Sequence, residues 1–448
     1  MQPCLGLGFL AGVLSPGNDV LLLDCILEGL GPRALARRLA DFRPDVAGFQ
    51  VNTFTLDRTA RYLDEVRRVL PRTVTVAGGP HPSVRPAGTL DRCGDRLDAA
   101  FIGEAEPSLP GFVDACRDGR PGAAILAGLP GVAWRQEGRV ERTPSATPDL
   151  ASLPLPRWDL MDPRRYPMAP HSAFFRQWPV APIIASRGCP YACTFCAGST
   201  IHGRRLRYRP LDLVMEEVRL LTDRFGVREI QFVDDNLTFD PAYVHALCDR
   251  MAALPRPVLW SCPNGVRLDS LEPELLRHMK ASGCYAVGIG IESGSPEVLA
   301  RVRKGLDPER IREGVARVKE AGIESRGFFV LGFPGETAAD MARTVRLALE
   351  LPLDFAHFMF FHPIPGTEAG DAVLSAQAGP SWPDQAAPTF AEVAWVPEGM
   401  TANGLRRIRR DALMRFYLRP SRLAGLARQV RGPRHLGRLL RRIARWLP

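Results

Sequence analysis

Cys189, Cys193 and Cys196 lie in the stretch "SRGCPYACTFCAGS" (residues 186–199), separated by three and two residues. Thiolates are soft-metal ligands, and three of them on one flexible loop can hold three corners of an iron–sulfur cube. The fourth iron then has no protein ligand and is open to a cofactor or substrate. A structural zinc site would need a fourth ligand, and the nearest candidates, His171 and His202, do not stand at the spacing of zinc fingers or ribbons. Cys4, Cys25, Cys93, Cys116, Cys248, Cys262 and Cys284 are isolated in the chain, so neither a second cluster nor a disulfide framework is expected.

The cysteine loop follows the apolar run "PIIAS" (182–186), which opens an alternation of strands and helices through "EIQFVDD", "PVLWS", "YAVGIGIE", "ESRGFFVLG" and "FAHFMFF". Six such units are too few for an eight-stranded barrel and predict a partial one, with its chemistry at the C-terminal ends of the strands. Upstream, "DVLLLD", "DVAGFQV", "RTVTVAGG" and "LDAAFIGE" alternate with helix-period segments. That pattern predicts a doubly wound, Rossmann-like α/β domain whose parallel sheet is covered on both faces and binds ligands beyond the carboxyl ends of its strands. Turns follow three successive strands there: Gln50 to Thr55, with Asn52 and Thr53; Gly78-Gly79-Pro80-His81; and Gly103-Glu104-Ala105-Glu106. The expected organisation is an N-terminal domain over 1–140, a Pro-rich linker over 141–181, the partial barrel over 182–370 and a C-terminal region over 371–448 with a helical basic tail.

At 448 residues, 46% hydrophobic and 24% charged, the chain can bury a large core in more than one domain. No apolar stretch reaches the roughly 18 to 20 residues of a membrane span. "LGLGFLAGVL" (5–14) imitates the apolar part of a signal peptide, but no Lys or Arg precedes it, so a cytoplasmic location is expected. Of the net charge of +9, residues 404–448 carry +13, with 14 Arg against Asp411, which leaves −4 for the rest. Within that tail "HLGRLLRRIARWL" (435–447) reads as a basic amphipathic helix. It suits packing on the barrel first and peripheral contact with an anionic membrane second. Nucleic acid is not an expected partner, because the fourteen arginines could contact phosphates but no regular interleaving of aromatic residues for stacking on bases accompanies them.

The cysteine loop occurs together with "FVDDN" (232–236), "GIGIESGS" (288–295), "VRKG" (302–305) and "FFVLGFPGET" (328–337). In this set and order the chain resembles the radical S-adenosylmethionine (radical SAM) enzymes over about 182–370. The resemblance implies a [4Fe-4S] cluster on the three cysteines, with its open iron chelated by S-adenosylmethionine. It places Phe195 against the adenine, Asp235 near the methionine amino group, Glu292 and Ser293 near the ribose and methionyl parts, and Lys304 near the carboxylate. Gly332 and Gly335 would let backbone approach the nucleoside. Plainer alternatives stand beside these: Asp234 and Asp235 as caps of the following helix, and Lys304 as a solvated helix-end cation.

"PCLGLGFLAGVL", "RPDVAGFQVNTFT", "VTVAGGPHPS" and "AAFIGEAE" resemble the cobalamin-binding domain of cobalamin-dependent radical enzymes. That resemblance implies cobalamin near Asn52, Thr53, Gly78, Gly79, His81, Gly103 and Glu104. No D-x-H-x-x-G motif occurs, which excludes cobalt ligation by His through that motif and leaves His81 to a pocket wall or a turn. The strand that precedes "PCLGLG" in that family is not found, so an open sheet edge and weak cobalamin binding are expected.

The function implied is C-methylation of an unactivated carbon on a small or lipid-like metabolite. A radical derived from S-adenosylmethionine would take the hydrogen and methylcobalamin would supply the methyl group, with an external electron donor such as flavodoxin or ferredoxin. Three alternatives differ in outcome: an oxidative cyclase or other ring-modifying enzyme on a porphyrin-like substrate, a tRNA methylthiotransferase, and a non-enzymatic cobalamin sensor.

Overall fold

Runs rich in Val, Ile and Ala on both faces of a strand must be covered on both sides. The computed structural model, which describes residues 2–167, 175–376 and 389–420, gathers most of them into two sheets. The first holds β1 (Val46–Gln50), β2 (Val74–Gly78), β3 (Ala99–Phe101), β4 (Val132–Gln136) and β5 (Arg139–Arg142) in that spatial order. β1 to β3 are parallel, and β4 and β5 form an antiparallel hairpin. Leu56, Leu63, Leu90 and Ala133 pack on one side of the sheet, and Val76, Phe101, Phe112 and Trp134 on the other. This is the doubly wound unit the alternation predicts.

Two features depart from the sequence reading. The β4–β5 hairpin turns at Glu137 and Gly138, with φ of 51° and 78°, the left-handed pair that a tight hairpin turn requires. It carries this unit past residue 140, to Arg142. "DVLLLD", expected as a strand, belongs to none; residues 19–24 form no ladder. β1 is the edge of its sheet, and among the described residues no strand pairs with its outer side. That edge keeps backbone groups free for a partner, but residues 19–24 run as irregular chain and form no ladder with it.

The second sheet contains β6 (Val180–Ile183), β9 (Glu229–Phe232), β10 (Leu259–Val266), β11 (Cys284–Glu292), β12 (Glu324–Leu331) and β13 (Phe355–Phe360), in the order β13-β12-β11-β10-β9-β6. Every pairing in it is parallel, as in an open partial barrel. A separate two-stranded ribbon of β7 (Ser186–Arg187) and β8 (Arg207–Tyr208) brackets the cysteine loop. Helices Leu211–Phe225, Pro241–Ala252, Pro273–Ala281, Pro308–Glu320 and Ala338–Glu350 return the chain between strands and bury one face each. Asp240 caps the helix after β9, accepting from the amides of Ala242 (3.0 Å) and Tyr243 (3.4 Å), so that work does not fall to Asp234 or Asp235.

The Pro-rich linker packs rather than folding alone. Trp158 is buried, its indole N–H donating to Glu217 at 3.0 Å. Leu5 and Phe9 of the helix Leu5–Leu14 join Trp158 and Met161 in the barrel core. Gly8 makes that approach possible, since a Cβ there would lie 2.2 Å from Met161 Cε. No helix among the described residues is long and apolar enough to cross a membrane. The basic amphipathic stretch 435–447, like His171, lies outside the described residues.

Candidate active site

The cysteine loop leaves the barrel through a glycine that nothing else can replace. Gly188 has φ of 94°, and a Cβ there would sit 2.5 Å from the Arg205 carbonyl oxygen. Beneath it Asp234, fully buried, accepts from the Ala185 amide at 3.0 Å, the Ser186 hydroxyl at 2.6 Å and the Ser186 amide. Burial pushes this carboxyl up to about 6 against those bonds. Asp234 thus pins the base of the loop.

The loop then rests on the segment after β11. Thr194 donates its amide to Val302 O (3.1 Å), the Cys193 thiol lies 3.8 Å from Arg303 O, and the Ala369 amide donates to Thr194 O (2.9 Å). The Arg267 guanidinium stacks 3.6 Å from the Tyr191 ring centroid while bonding Lys304 O at 2.8 Å. Cys189 and Cys193 are partly exposed and Cys196 exposed, all with free thiols. Desolvation raises the Cys189 thiol and pushes Cys196 up to about 11. The Gly198 amide lies 3.4 Å from Cys196 Sγ, an N–H···S contact of the sort that tunes cluster sulfur. Among the described residues no three His, Cys, Asp or Glu side chains converge on a point that would hold one metal ion. A cubane needs no such convergence, because each thiolate takes its own iron. Three accessible thiols on a pinned loop therefore fit a cluster better than a mononuclear site.

Around the loop the structure collects Asp235, Glu292, Lys304 and Phe195. A Cβ on Gly198 would lie 3.3 Å from Asp235 Oδ1 and 3.4 Å from Cys196 Sγ, so a side chain there would fill the gap between carboxylate and thiol. Asp235 is an exposed residue, yet desolvation by the protein around it raises its carboxyl against the field of His202. Glu292 closes β11 with φ of 67°, a left-handed conformation that costs a non-glycine residue roughly 1–3 kcal/mol. Its carboxylate pairs with Lys304 Nζ at 2.8 Å, each side chain 9% exposed. Desolvation opposes the Lys304 charge, and Glu292 and Cys193 outweigh it, so the ammonium is held above its ordinary range. Gly290 leaves room for the pair, as a Cβ there would come within 2.7 Å of both charged groups. Lys304 is thus no solvated cation, and it faces Glu292 where the resemblance reserves it for a ligand carboxylate.

Phe195 meets Phe333 edge to face at 5.2 Å, beside Gly332 (φ 89°) and Gly335 (φ 71°). The loop is held by buried Glu336, which accepts from the amides of Gly332 (2.6 Å) and Phe333 (2.9 Å) and is raised to about 7 by burial. Its other oxygen has no partner. Ser293 is not directed to a ligand: its hydroxyl bonds Thr344 Oγ1 at 3.0 Å and takes the Ser295 amide at 3.1 Å. The aromatic edge, the carboxylates and the loop glycines fit S-adenosylmethionine; Ser293 supports the fold beneath them.

At the N-terminal sheet, Asn52 and Thr53 follow β1, and Gly79 (φ 108°) and His81 follow β2, with the His81 amide bonded to Val51 O at 3.2 Å. Buried His81 meets Thr53 Oγ1 through Nδ1 at 3.1 Å, and desolvation lowers the ring to about 4, so it is neutral at pH 7. It secures a turn. The Gly78 position is open, a Cβ there meeting only Phe101 at 3.7 Å. The paired glycines that end β2 bare the backbone at the carboxyl edge of the sheet, which suits a broad planar ligand such as a corrin. Gly103 has φ of 76° and donates its amide to Ser83 Oγ at 2.9 Å.

Glu104 has other employment than ligand contact. It accepts from Arg187 at 2.6 Å, from Arg207, and faces His202 Nδ1 at 3.3 Å, while Glu106 takes Arg187 at 2.8 Å. Burial alone would raise the Glu104 carboxyl, and the bonds from His202, Arg207 and Arg187 outweigh it, holding it at about 2. Arg187, Arg207, Arg267 and Glu336 escape sequence reasoning because an isolated charge has no pattern. Arg187 and Glu104 do stand at the edges of motifs, which is the one signal available.

Comparison with known proteins agrees with this arrangement. Residues 183–348 match the Radical SAM superfamily and residues 2–113 the B12 binding domain, together more than half the chain. An uncharacterized methyltransferase of Pyrococcus horikoshii is 29% identical over 422 residues, covering 93% of this chain and 88% of its own length. The cytidylyl-2-hydroxyethylphosphonate methyltransferase of Streptomyces wedmorensis is 29% identical over 418 residues, covering 81% and 76%. The fold is shared with TsrM, a radical S-adenosylmethionine methyltransferase from Kitasatospora setae solved with cobalamin and a [4Fe-4S] cluster, at a TM-score of 0.74, 18% identity and coverage of 94% and 89%. A chain that carries both matched regions, in this order and on this fold, belongs to the cobalamin-binding radical SAM enzymes.

Proposed function

We propose that this enzyme is a cobalamin-dependent radical SAM methyltransferase acting on carbon. One observation carries the reading: the loop after β3 in the N-terminal unit lies directly on the base of the cysteine loop, through Arg187 and Glu104 at 2.6 Å. The two candidate cofactor sites are therefore neighbours, as a reaction that uses both requires. When bound, the cluster and S-adenosylmethionine supply hydrogen abstraction, and cobalamin supplies the methyl group. The protein's residues bind and orient. Cys189, Cys193 and Cys196 would hold the cluster. Asp235 would receive the methionine ammonium, the Glu292–Lys304 pair would present charge to the polar end of the ligand, and Phe195 with Phe333 would cover the adenine. Asn52, Thr53, Gly78, Gly79 and Gly103 would line the corrin.

The test is turnover with S-adenosylmethionine carrying a trideuterated methyl group. Methylation predicts a product heavier than its substrate by one CD3 in place of H. A second reading, ring closure, is favoured by similarity to an anaerobic magnesium-protoporphyrin IX monomethyl ester cyclase of Rubrivivax gelatinosus, 26% identical over 380 residues. It predicts a product that carries no label.

The substrate is a small or lipid-like metabolite, and the reductant a flavodoxin or ferredoxin. Contact of the basic tail with an anionic membrane belongs to the same proposal and suits a lipid-like substrate. Sedimentation with anionic liposomes should be tail-dependent and lost at high salt. Binding that survives removal of residues 421–448, which spares the helix Ala402–Tyr417 packed in the barrel core, would exclude the tail as the cause.

A further inference from the structure

The cysteine excursion runs from Gly188 to Leu206, between the two strands of the β7–β8 ribbon. Glu104, from the other sheet, touches three points on its perimeter. One carboxylate oxygen accepts from Arg187, the residue that ends β7. The second accepts from Arg207, which pairs with Arg187 across the ribbon, and lies 3.3 Å from His202 Nδ1 on the short helix that closes the loop. Arg207 in turn reaches the His202 carbonyl at 3.4 Å. Glu106 engages the remaining face of Arg187, whose guanidinium also lies 4.9 Å from the Phe9 ring. Arg187 is 3% exposed and the Glu104 side chain 1%. The backbone follows: a Cβ on Gly103 would lie 3.6 Å from the Ile201 carbonyl oxygen.

A carboxylate placed this way has one low-energy arrangement, because moving it strands the charges of Arg187 and Arg207 away from solvent. Gly103, its neighbour in sequence, stands at the strand-end edge proposed for cobalamin. We propose that Glu104 is a positioning residue that couples cobalamin binding to cluster binding, so that occupancy of either site strengthens the other. This rests on the reading that the loop holds a cluster and the N-terminal edge holds cobalamin. Coupling is reciprocal and commonly amounts to about 5- to 150-fold in affinity.

The test compares hydroxocobalamin dissociation constants of the full chain before and after anaerobic loading with iron and sulfide, in wild type, Glu104→Gln and Arg85→Ala. Arg85 forms an exposed pair with Asp371 between the same two units (2.5 Å) and reports general loosening. Loading should tighten cobalamin about tenfold in wild type and in Arg85→Ala, and by less than about twofold in Glu104→Gln. Should Glu104→Gln fail to fold, His202→Gln, which removes one partner at a partly exposed position, should lower the ratio. A wild-type ratio near one, or a ratio retained in Glu104→Gln or in His202→Gln, overturns the coupling. Wild-type protein that takes up no iron or no cobalamin overturns the underlying cofactor reading instead, and the coupling with it.

Discussion

Replacing Cys189, Cys193 and Cys196 together with alanine should remove about four irons per chain and the brown absorbance of the reconstituted protein, and abolish formation of 5′-deoxyadenosine from S-adenosylmethionine. The effect is all-or-none because no other thiol is at hand. Cys93, Cys116, Cys248, Cys262 and Cys284 are buried elsewhere, and Cys4 and Cys25 lie on the N-terminal segment. The fold should survive, since the loop hangs from Gly188 and Asp234 and packs through backbone contacts at Thr194 rather than through its thiols. Circular dichroism of the triple variant should match wild type. Retention of iron and colour by that variant would place the cluster on other residues.

The second large effect is expected at Lys304→Met. The change leaves the Glu292 carboxylate buried without its cation, a loss of about 3–5 kcal/mol for a fully buried pair and toward the lower figure here. The denaturation midpoint should fall accordingly. Binding of S-adenosylmethionine should weaken by at least about tenfold as well, corresponding to about 1.4 kcal/mol. The double variant Lys304→Met with Glu292→Gln should recover much of the stability, because no charge is stranded, but none of the affinity. Unchanged affinity in Lys304→Met would reduce the pair to scaffolding beneath Gly290.

The sequence reveals the parts of the site whose spacing has a chemical meaning. Three thiols within eight positions specify a cluster-like donor set whatever surrounds them, and six strand-helix units announce a partial barrel because short apolar-rich runs alternate regularly with helix-period segments. The β4–β5 hairpin is missed although its turn is written as Glu137-Gly138, since short strands of mixed polarity such as "RVER" carry no burial signal. "DVLLLD" misleads for the opposite reason: its residues favour a strand, but composition does not say whether a run pairs, and this one makes no ladder. Lys304 illustrates what spacing cannot supply. Its motif locates it at the site, yet only the fold shows that Glu292, twelve positions earlier, turns into a left-handed conformation to meet it. Asp234 and Asp235 are adjacent in sequence and part company in space, one pinning the backbone of Ala185 and Ser186, the other facing Gly198 and Cys196. Glu104 takes its meaning entirely from Arg187, eighty-three positions away.

The most direct test of a chain that uses a cluster and cobalamin in one reaction is to quantify two small products from one anaerobic incubation. Protein reconstituted with iron, sulfide and hydroxocobalamin, reduced and supplied with S-adenosylmethionine, is analysed by mass spectrometry for 5′-deoxyadenosine and S-adenosylhomocysteine. The account predicts both, the first dependent on the three cysteines and the second on added cobalamin. A preparation that holds iron and cobalamin yet forms 5′-deoxyadenosine without S-adenosylhomocysteine would contradict methyl transfer, and one that forms neither would contradict the assignment of the site.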